Sequence, residues 1–344
     1  MTVPNIHPVL AAVEDVFVVH GKDDIAALDL LIDDLARRCG APITGRWAWL
    51  SAAVEQEAVQ SSACFVAADG DLRAAAVFVH DVDRAGVRHV RLASGGDGHR
   101  AFFLAIDEAA AVALGVTLAD LLMATDGPIR VELGPLPARD PSLESLLRSL
   151  PGTAEVACRH DVVPVVRAHG TDLDDHLSHG MRRTLRKSNN RLATDRVHVE
   201  FTVTTDADEI IARLPEIAAV SRDRDHAGGR SSLLDDEIGM RRWSQRLVGL
   251  ARLCHLELST LLLNGEPAAY VLGVEDNGAY RVLEGRYVTT WKRYAPGRLL
   301  EAHVLDRVLG RRDLHELDWM TSAAPDTLLA TDAGVDVVTV DILL

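Results

Sequence analysis

Residues 278–300, GAYRVLEGRYVTTWKRYAPGRLL, decide how the second half of this 344-residue chain is organised. Residues 279–288 alternate between apolar and polar side chains, which predicts a half-buried β-strand. After a polar connector over 289–295, Pro296 and Gly297 precede residues 298–309, whose apolar side chains recur at helical spacing. The stretch is therefore interpreted as a strand, a short loop and a helix.

The loop in front of the predicted helix has the residues of a phosphate seat. Proline is tolerated in the first turn of a helix because the N–H that it lacks has no intrahelical partner there, and glycine lets the backbone approach a ligand closely. The amides of such a helix start, together with Lys292, Arg293 and Arg298, favour a bound phosphate. A loop and helix cap without any ligand is the alternative interpretation.

Composition limits the class of protein. The chain is long enough for two domains with their own cores, and 48% apolar and 25% charged residues are typical of soluble globular proteins. The formal net charge, 36 minus 51 or -15, argues against a general nucleic-acid binder, although a local basic groove on an acidic body is compatible with it.

The cysteines and the N-terminal residues indicate a cytoplasmic protein. Cys39, Cys64, Cys158 and Cys254 are scattered without a CxxC pair, so neither a zinc site nor a disulfide framework is expected. The first residues lack a basic head followed by an apolar run, and no uninterrupted apolar stretch reaches the ~18 residues of a membrane span. We therefore expect no signal peptide and no membrane span.

The remaining patterns divide the chain near residues 167–174, and we predict domains at 1–168 and 169–344. The first is predicted to contain strands at 15–20, 63–68, 72–80, 87–93, 129–133 and 154–167 and helices at 23–39, 47–60, 101–114, 118–124 and 142–150. The second is predicted to contain helices at 172–192, 207–222, 235–251, 298–309 and 325–331 and strands at 197–203, 253–263, 266–274, 279–288, 314–320 and 335–343. Asn264-Gly265 is a strong hairpin signal, so three successive antiparallel strands lead into the loop at Pro296.

The predicted helix 172–192 carries a dense set of cations beside an apolar stripe. These cations are Arg182, Arg183, Arg186, Lys187 and Arg191. They form either a solvated helix face or a positively charged wall that attracts a phosphate-bearing ligand or an acidic acceptor.

This order of elements resembles the GNAT acyltransferase fold. The segments MRRTLRK (181–187), LSTLLLNGEPAA (258–269), GRY (285–287) and RYAPGRLL (293–300) are similar to its CelD-like branch, whose members carry two GNAT-like halves and are related to Fem-type peptidyl transferases. The resemblance covers most of residues 172–344, whereas the first half fits only by its coarse pattern and lacks a Pro-Gly phosphate loop. It implies an α/β (α+β) fold of tandem GNAT-like domains, each a mostly antiparallel mixed sheet flanked by helices.

The resemblance implies acyl transfer, with acetyl transfer as the expected case, from acetyl-CoA or another acyl-CoA to an amine of a small molecule or peptide. The implied cofactor-binding residues are Tyr287, Val288, Arg293, Ala295, Pro296, Gly297, Arg298 and Leu299. An attacking amine must lose a proton, for which Glu284 is the first candidate base and Asp318 the second. Tyr294 or Tyr287 is the candidate donor to the thiolate, and strand amides are the candidate oxyanion donors. Each of these side chains also has a purely structural interpretation.

Two other functions are compatible with the same sequence. The family often has a Tyr-Lys pair after the fifth strand of this half, and residues 323–330, AAPDTLLA, contain neither residue. A catalytically silent GNAT-like binding module would explain that departure. A Fem-like transferase that uses aminoacyl-tRNA would explain the cations of helix 172–192. The acidic net charge of the chain argues against this alternative.

Overall fold

A computed structural model describes residues 7–8, 15–56, 59–168, 172–232, 234–321 and 328–344. The chain divides into two compact units, the first formed by residues 1–161 and 336–344 and the second by residues 162–335. The division at 161/162 lies a few residues before the boundary expected near 167–174. It also returns residues 336–344 to the first unit, which the sequence did not indicate.

The first unit is a mixed sheet with helices on its faces. Its strands are β1 (His7–Pro8), β2 (Asp15–His20), β3 (Gln60–Ala68), β4 (Asp71–Val82), β5 (Arg88–Leu92), β6 (Leu104–Ala105) and β7 (Ile129–Pro137). Its helices are α1 (Lys22–Ala26), α2 (Asp29–Arg38), α3 (Trp47–Val54), α4 (Glu108–Met123) and α5 (Pro141–Ser149). Short 3₁₀ turns lie at Ile43–Gly45 and Ala93–Gly98.

Two further strands are each divided between the two units. The strand β8 (Glu155–Arg167) belongs to the second unit from Val162 onward, and β14 (Ala333–Leu343) belongs to the first from Asp336 onward. In the first unit β1 to β5 pair antiparallel in sequence order, β6 pairs with β4, β5 pairs parallel with β7, and β7 pairs antiparallel with β14. The pairing of β14 with β7 is the reason that residues 336–344 belong there.

The second unit repeats this plan. Its helices are α6 (Leu173–His176), α7 (His179–Thr194), α8 (Ala207–Ala212), α9 (Leu214–Ala227), α10 (Glu237–Leu250) and α11 (Pro296–Leu309). Its strands are β9 (Val199–Thr204), β10 (His255–Leu263), β11 (Glu266–Asp276), β12 (Ala279–Tyr287) and β13 (Glu316–Asp318), with a 3₁₀ turn at Thr289–Tyr294. From β9 to β12 the strands pair antiparallel, β12 pairs parallel with β13, and β13 pairs antiparallel with β8. The expected fold class is confirmed.

Two predicted helices of the second unit are each divided in the structure. Residues 207–222 form α8 and α9 because Pro215 is accommodated only in the first turn of a helix. Residues 172–192 form α6 and α7 because the hydroxyl of Ser178 accepts a hydrogen bond from Met181 N and caps a new helix. Of the predicted helix 325–331, residues 325–327 lie outside the described ranges and residues 328–331 are not helical; of residues 323–330, only 328–330 are described.

The predicted helices 101–114 and 118–124 are instead one helix, α4. Gly115 lies at its centre, and a Cβ at this position would come within 2.2 Å of the carbonyl oxygen of Ser142. The glycine is therefore a packing contact with α5 and does not end the helix.

The apolar cores lie on the sheet faces. In the second unit, α11 packs on β10, β11 and β12 around buried residues that include Leu261, Val271, Leu300 and Leu305. Among the described residues no helix is long and apolar enough to cross a lipid bilayer.

Candidate acyl-transfer site

The strand β12 loses its neighbour on one side halfway along its length. Its parallel pairing with β13 covers three positions and ends where Arg281 faces Asp318. Val282 and residues 284–287 continue to pair with β11 on the other side, with a register shift at Leu283. Within the described ranges no strand pairs with the β13 side of β12 beyond Arg281.

The helix that follows β12 begins at an unusual backbone position. Ala295 precedes α11 with φ 52° and ψ 53°, a left-handed conformation that costs a residue with a Cβ about 1 kcal/mol or more. Alanine has no side-chain acceptor for the first amides of α11, and the first turn contains no acidic residue. Such a helix start is suited to an anion.

Gly297 brings this helix start close to the end of β12. A Cβ at Gly297 would lie 3.3 Å from Cδ1 of Tyr287, so a larger residue requires the ring to shift. The guanidinium of Arg224 lies 5.0 Å from the centroid of the same ring. The structure thus brings together Tyr287, Ala295, Pro296 and Gly297, four of the predicted cofactor residues, at one turn.

The first unit shows the opposite arrangement at the corresponding helix. There Asp107 caps α4 by accepting a hydrogen bond from Ala110 N at 2.9 Å, and its carboxylate is also paired with Arg73. Glu108 follows in the first turn. Because carboxylates already satisfy this helix start, it is unsuited to a phosphate.

Arg298 and Glu301 form an ion pair in the first turns of α11. Their charged atoms are 3.0 Å apart. Burial raises the pKa of Glu301 from 4.5 to about 7, against the opposing effect of Arg298. Near neutral pH the charge of Arg298 is therefore only partly neutralised by its neighbour. The remaining predicted residue of this turn, Leu299, is buried and donates its amide to the carbonyl of Ala295.

We expect Glu301 to make the stability of the protein depend on pH. The folded carboxyl keeps its proton longer than the unfolded one, so the free energy of unfolding falls between about pH 4.5 and about pH 7 and is level above that. Glu301→Gln removes this decline and gains on the order of 3 kcal/mol at pH 8 relative to the wild type. Urea unfolding at pH 5 and pH 8 measures the difference. The exposed Glu144→Gln is the control, and equal behaviour of both variants would contradict the assignment.

Glu284 lies in a buried polar cluster on the face of β12 that packs against α9. Its carboxylate is 2.6 Å from the guanidinium of Arg286, which is also 3.1 Å from Asp225 on α9. Burial acts to lower the pKa of Arg286, but the carboxylates of Glu284 and Asp225 raise it above its usual value. Burial and then Glu284 raise the pKa of Tyr270, which faces Arg286 across β11 and β12, so its phenol stays protonated. We call Glu284, Arg286, Asp225 and Tyr270 the polar cluster.

Sequence reasoning found only Glu284 in this polar cluster. The predicted helix 207–222 ends before Asp225, whereas α9 continues to Ala227 and makes the side chain of Asp225 only 4% exposed. Asp225 follows the buried Ser221 by four residues, which is the helical spacing that indicates a shared face. Glu284 and Arg286 are two residues apart on one strand, and that spacing also indicated a shared face.

Asp318 holds the last paired position of β12 and β13. Its side chain is fully buried, 2.7 Å from Nη1 of Arg281, and its Oδ1 accepts a hydrogen bond from Met320 N. Arg281 also contacts Asp276 at 3.2 Å. The carboxylate of Asp318 is therefore engaged by structural partners at the point where the strands separate.

We expect Asp318→Ala to destabilise the protein by about 3–5 kcal/mol, because it leaves Arg281 buried with an incomplete set of carboxylate partners. The matched control is Asp313→Ala, which removes the exposed partner of Arg311 and is expected to leave the stability nearly unchanged. Denaturant unfolding of both variants tests this. Equal losses would show that Asp318 is not a structural anchor.

Tyr294 and Arg293 lie in the 3₁₀ turn before α11 and contact Asp195, which follows the last residue of α7. The phenol of Tyr294 donates a hydrogen bond of 2.8 Å to Asp195, which raises its pKa. The guanidinium of Arg293 also pairs with Asp195 and lies 4.8 Å from the centroid of the Tyr294 ring. Asp195 thus binds both of these predicted residues. Val288, another predicted cofactor residue, donates its amide to the carbonyl of Ala268.

The cations of α7 line an open groove of about 780 Å³. They include Arg183, Arg186, Lys187 and Arg191. The groove reaches the loop before α11, where Arg191 donates a 2.8 Å hydrogen bond to the carbonyl of Arg293 and Arg293 completes the wall. It offers positive charge to a phosphate-bearing ligand.

Comparison with known proteins identifies a family for part of the chain. The sequence profile of the family described as "Acetyltransferase (GNAT) domain" matches residues 179–326, which include β12 and α11. These residues lie within the second unit, which is therefore similar to a GNAT domain, and the fold of the chain is similar to that of a tandem GNAT protein. A comparison with curated proteins finds no match to the sequence.

Solved structures share the fold at low sequence identity. The crystal structure of FemX has a TM-score of 0.56 and 10% identity, over 86% of this chain and 87% of FemX. A conserved protein of unknown function from Bacteroides thetaiotaomicron has a TM-score of 0.52 and 10% identity, over 99% and 100%. A tandem GNAT protein from the clavulanic acid biosynthesis pathway has a TM-score of 0.50 and 14% identity, over 94% and 98%.

Proposed function

We propose that the second unit is an acyl-CoA-dependent N-acyltransferase, with acetyl-CoA or another acyl-CoA as the donor. The acceptor is an amine of a small molecule or peptide, and the reaction takes place in the cytoplasm. The observation that carries the proposal is the start of α11 at Ala295, which no side chain caps and whose first turn has no acidic residue, placed one 3₁₀ turn after the end of β12. A strand edge and a helix start placed in this order suit a ligand with a diphosphate and an extended, amide-containing arm.

The residues at the start of α11 fit a diphosphate. Ala295 supplies no competing acceptor, Gly297 leaves room for close approach, and Arg298 supplies positive charge within one turn. The thioester, when bound, supplies an acyl carbon that is open to attack by an amine.

Glu284 is the proposed base, acting directly or through a held water. It lies three residues beyond Arg281, the last residue of β12 that pairs with β13. Its side chain is 10% exposed. Arg286 and Asp225 fix the direction of its carboxylate, so they are proposed as positioning residues. Backbone amides of β12 are the proposed oxyanion donors. For Tyr294 and Asp318 the contacts with Asp195 and Arg281 favour positioning roles over proton transfer.

The test is calorimetric titration with acetyl-CoA and longer acyl-CoAs, followed by thiol release in the presence of a broad panel of amines. Saturable binding with amine-dependent thiol release supports the proposal. Binding without turnover for any amine would support the silent binding module instead. Absence of saturable acyl-CoA binding would overturn the proposal.

The basic groove of α7 favours a second candidate, transfer from an aminoacyl-tRNA. Four cations of α7 and Arg293 line this open groove, and a phosphate backbone binds to such a row of positive charges. The test is a gel-shift assay with tRNA at increasing salt concentration. A steep loss of binding with salt supports this donor, whereas no detectable binding at low salt excludes it.

A further inference from the structure

The first unit contains a cavity of about 360 Å³ that the proposed reaction does not use. Alternate residues of β2, β3, β4, β5 and β7 form its floor, and since alternate residues of a strand share a face, they line one side of the sheet. The C-terminal half of α4 covers that face with Leu118, Leu121 and Leu122. The volume lies within the range of roughly 300–1,000 Å³ that is usual for small-molecule sites.

The inner wall of this cavity is apolar. Phe78, Val131 and Leu133 line it from the strands, together with Cys64. Burial raises the pKa of the Cys64 thiol to about 12, so it is a neutral wall group and not a nucleophile. The inner part of the cavity therefore favours a hydrocarbon chain.

The mouth of the cavity is polar and positively charged. His20, Gln60, His80 and Arg88 occupy the same end of four neighbouring strands, since Gln60 pairs with His80, and His20 and Arg88 pair with Ser62 and Ile129 of the cavity wall. Burial, followed by the charges of Arg88 and His20, lowers the pKa of His80, so this imidazole is neutral at pH 7. Arg88 is then the fixed charge, and it forms no ion pair with any residue that the structure describes.

This cavity is separate from the position that corresponds to the proposed acyl-CoA seat. That position in the first unit is the start of α4, which Asp107 caps. The cavity lies at the opposite end of the same helix, beside Leu122 and Thr125 and the first residues of β5 and β7.

We propose that this cavity is a second ligand site, which takes an amphipathic carboxylic acid with its hydrocarbon chain between α4 and the sheet and its carboxylate at Arg88. An apolar interior with a single arginine at the mouth matches one anionic head on one apolar tail. The guanidinium presents the paired N–H groups that a carboxylate accepts. The proposal is independent of the acyl-transfer reaction in the second unit.

The test is calorimetric titration of the full chain with decanoate, with decanol and acetate as probes of the head and the tail. We expect saturable decanoate binding and at least tenfold weaker binding of decanol and acetate. Arg88→Gln is expected to weaken decanoate binding roughly tenfold. Ser62→Phe, which places a ring in the cavity, is expected to abolish it. Arg84→Gln, an exposed arginine in the turn between β4 and β5, is the matched control and leaves binding unchanged.

Four results would overturn the proposal. They are no saturable decanoate binding, decanol binding as tight as decanoate binding, affinities unchanged by Arg88→Gln and Ser62→Phe, and a dimer in sedimentation that Ser62→Phe disperses. The last result would show that a second copy of the chain covers this face. Circular dichroism and thermal unfolding of both variants confirm that any loss of binding occurs in folded protein.

Discussion

Gly297→Asp is expected to abolish acyl-CoA binding. The new carboxylate would lie at the start of α11, where the proposed diphosphate is seated, and its Cβ would come within 3.3 Å of Tyr287. Two like charges 4 Å apart repel by on the order of 4 kcal/mol at an effective dielectric constant near 20. This corresponds to a roughly thousandfold higher Kd. Calorimetric titration with acetyl-CoA measures the change.

Gly297→Asn is the matched control for that experiment. Asparagine has nearly the shape of aspartate without the charge, so it shares the contact with Tyr287 but not the repulsion. We expect it to weaken binding far less than Gly297→Asp does. Equal losses of acetyl-CoA affinity in both variants would assign the effect to the shifted ring of Tyr287. Unchanged affinity in the aspartate variant would show that the diphosphate does not bind at the start of α11.

Glu284→Gln is expected to lower kcat by at least roughly a hundredfold, because a general base contributes about 10²–10⁴ to a rate. The affinity for acetyl-CoA is expected to stay the same, since the carboxylate lies in the polar cluster with Arg286 and Asp225 and not at the start of α11. Steady-state thiol release measures kcat, and calorimetry measures the affinity. Both are run on the wild type and the variant.

The control for this variant is Glu266→Gln. Glu266 is exposed at the start of β11 and shares the chemistry of Glu284 without its neighbours. It is expected to leave kcat unchanged. If Glu284→Gln turned over acyl-CoA as fast as the wild type across the pH range, the proton would have to be removed by another group.

Local patterns predicted the part of the site that is contiguous in the chain. The alternation in 279–288, the hairpin signal at Asn264-Gly265 and the pair Pro296-Gly297 each depend on interactions between near neighbours. The structure has β12, the β10–β11 hairpin and α11 at these places. The left-handed conformation of Ala295 was not predicted, because alanine gives no sequence signal for a positive φ.

The polar cluster could not be assembled from the sequence. Its members come from α9, β11 and β12, and their contacts depend on how a helix packs on a sheet. The same holds for Asp195, which meets Tyr294 from a segment 99 residues away in the chain. Contacts between residues that are distant in the chain produce no local periodicity in the sequence. The predicted helix 207–222 also ended before Asp225, so its place on the buried face of α9 was missed.

The strand β14 pairs with β7 in the first unit, although residues 162–335 of the second unit separate the two parts of the first unit in the sequence. Residues 336–344 complete that unit by pairing with β7, yet they leave the ribosome only after the whole of residues 162–335. During synthesis the edge of β7 that pairs with β14 therefore stays unpaired until residues 162–335 have been made. An unpaired strand edge can bind chaperones or form non-native strand pairs. A fragment of residues 1–161 would keep that defect permanently, whereas a permuted chain that joins residues 336–344 ahead of β2 would complete the first sheet early.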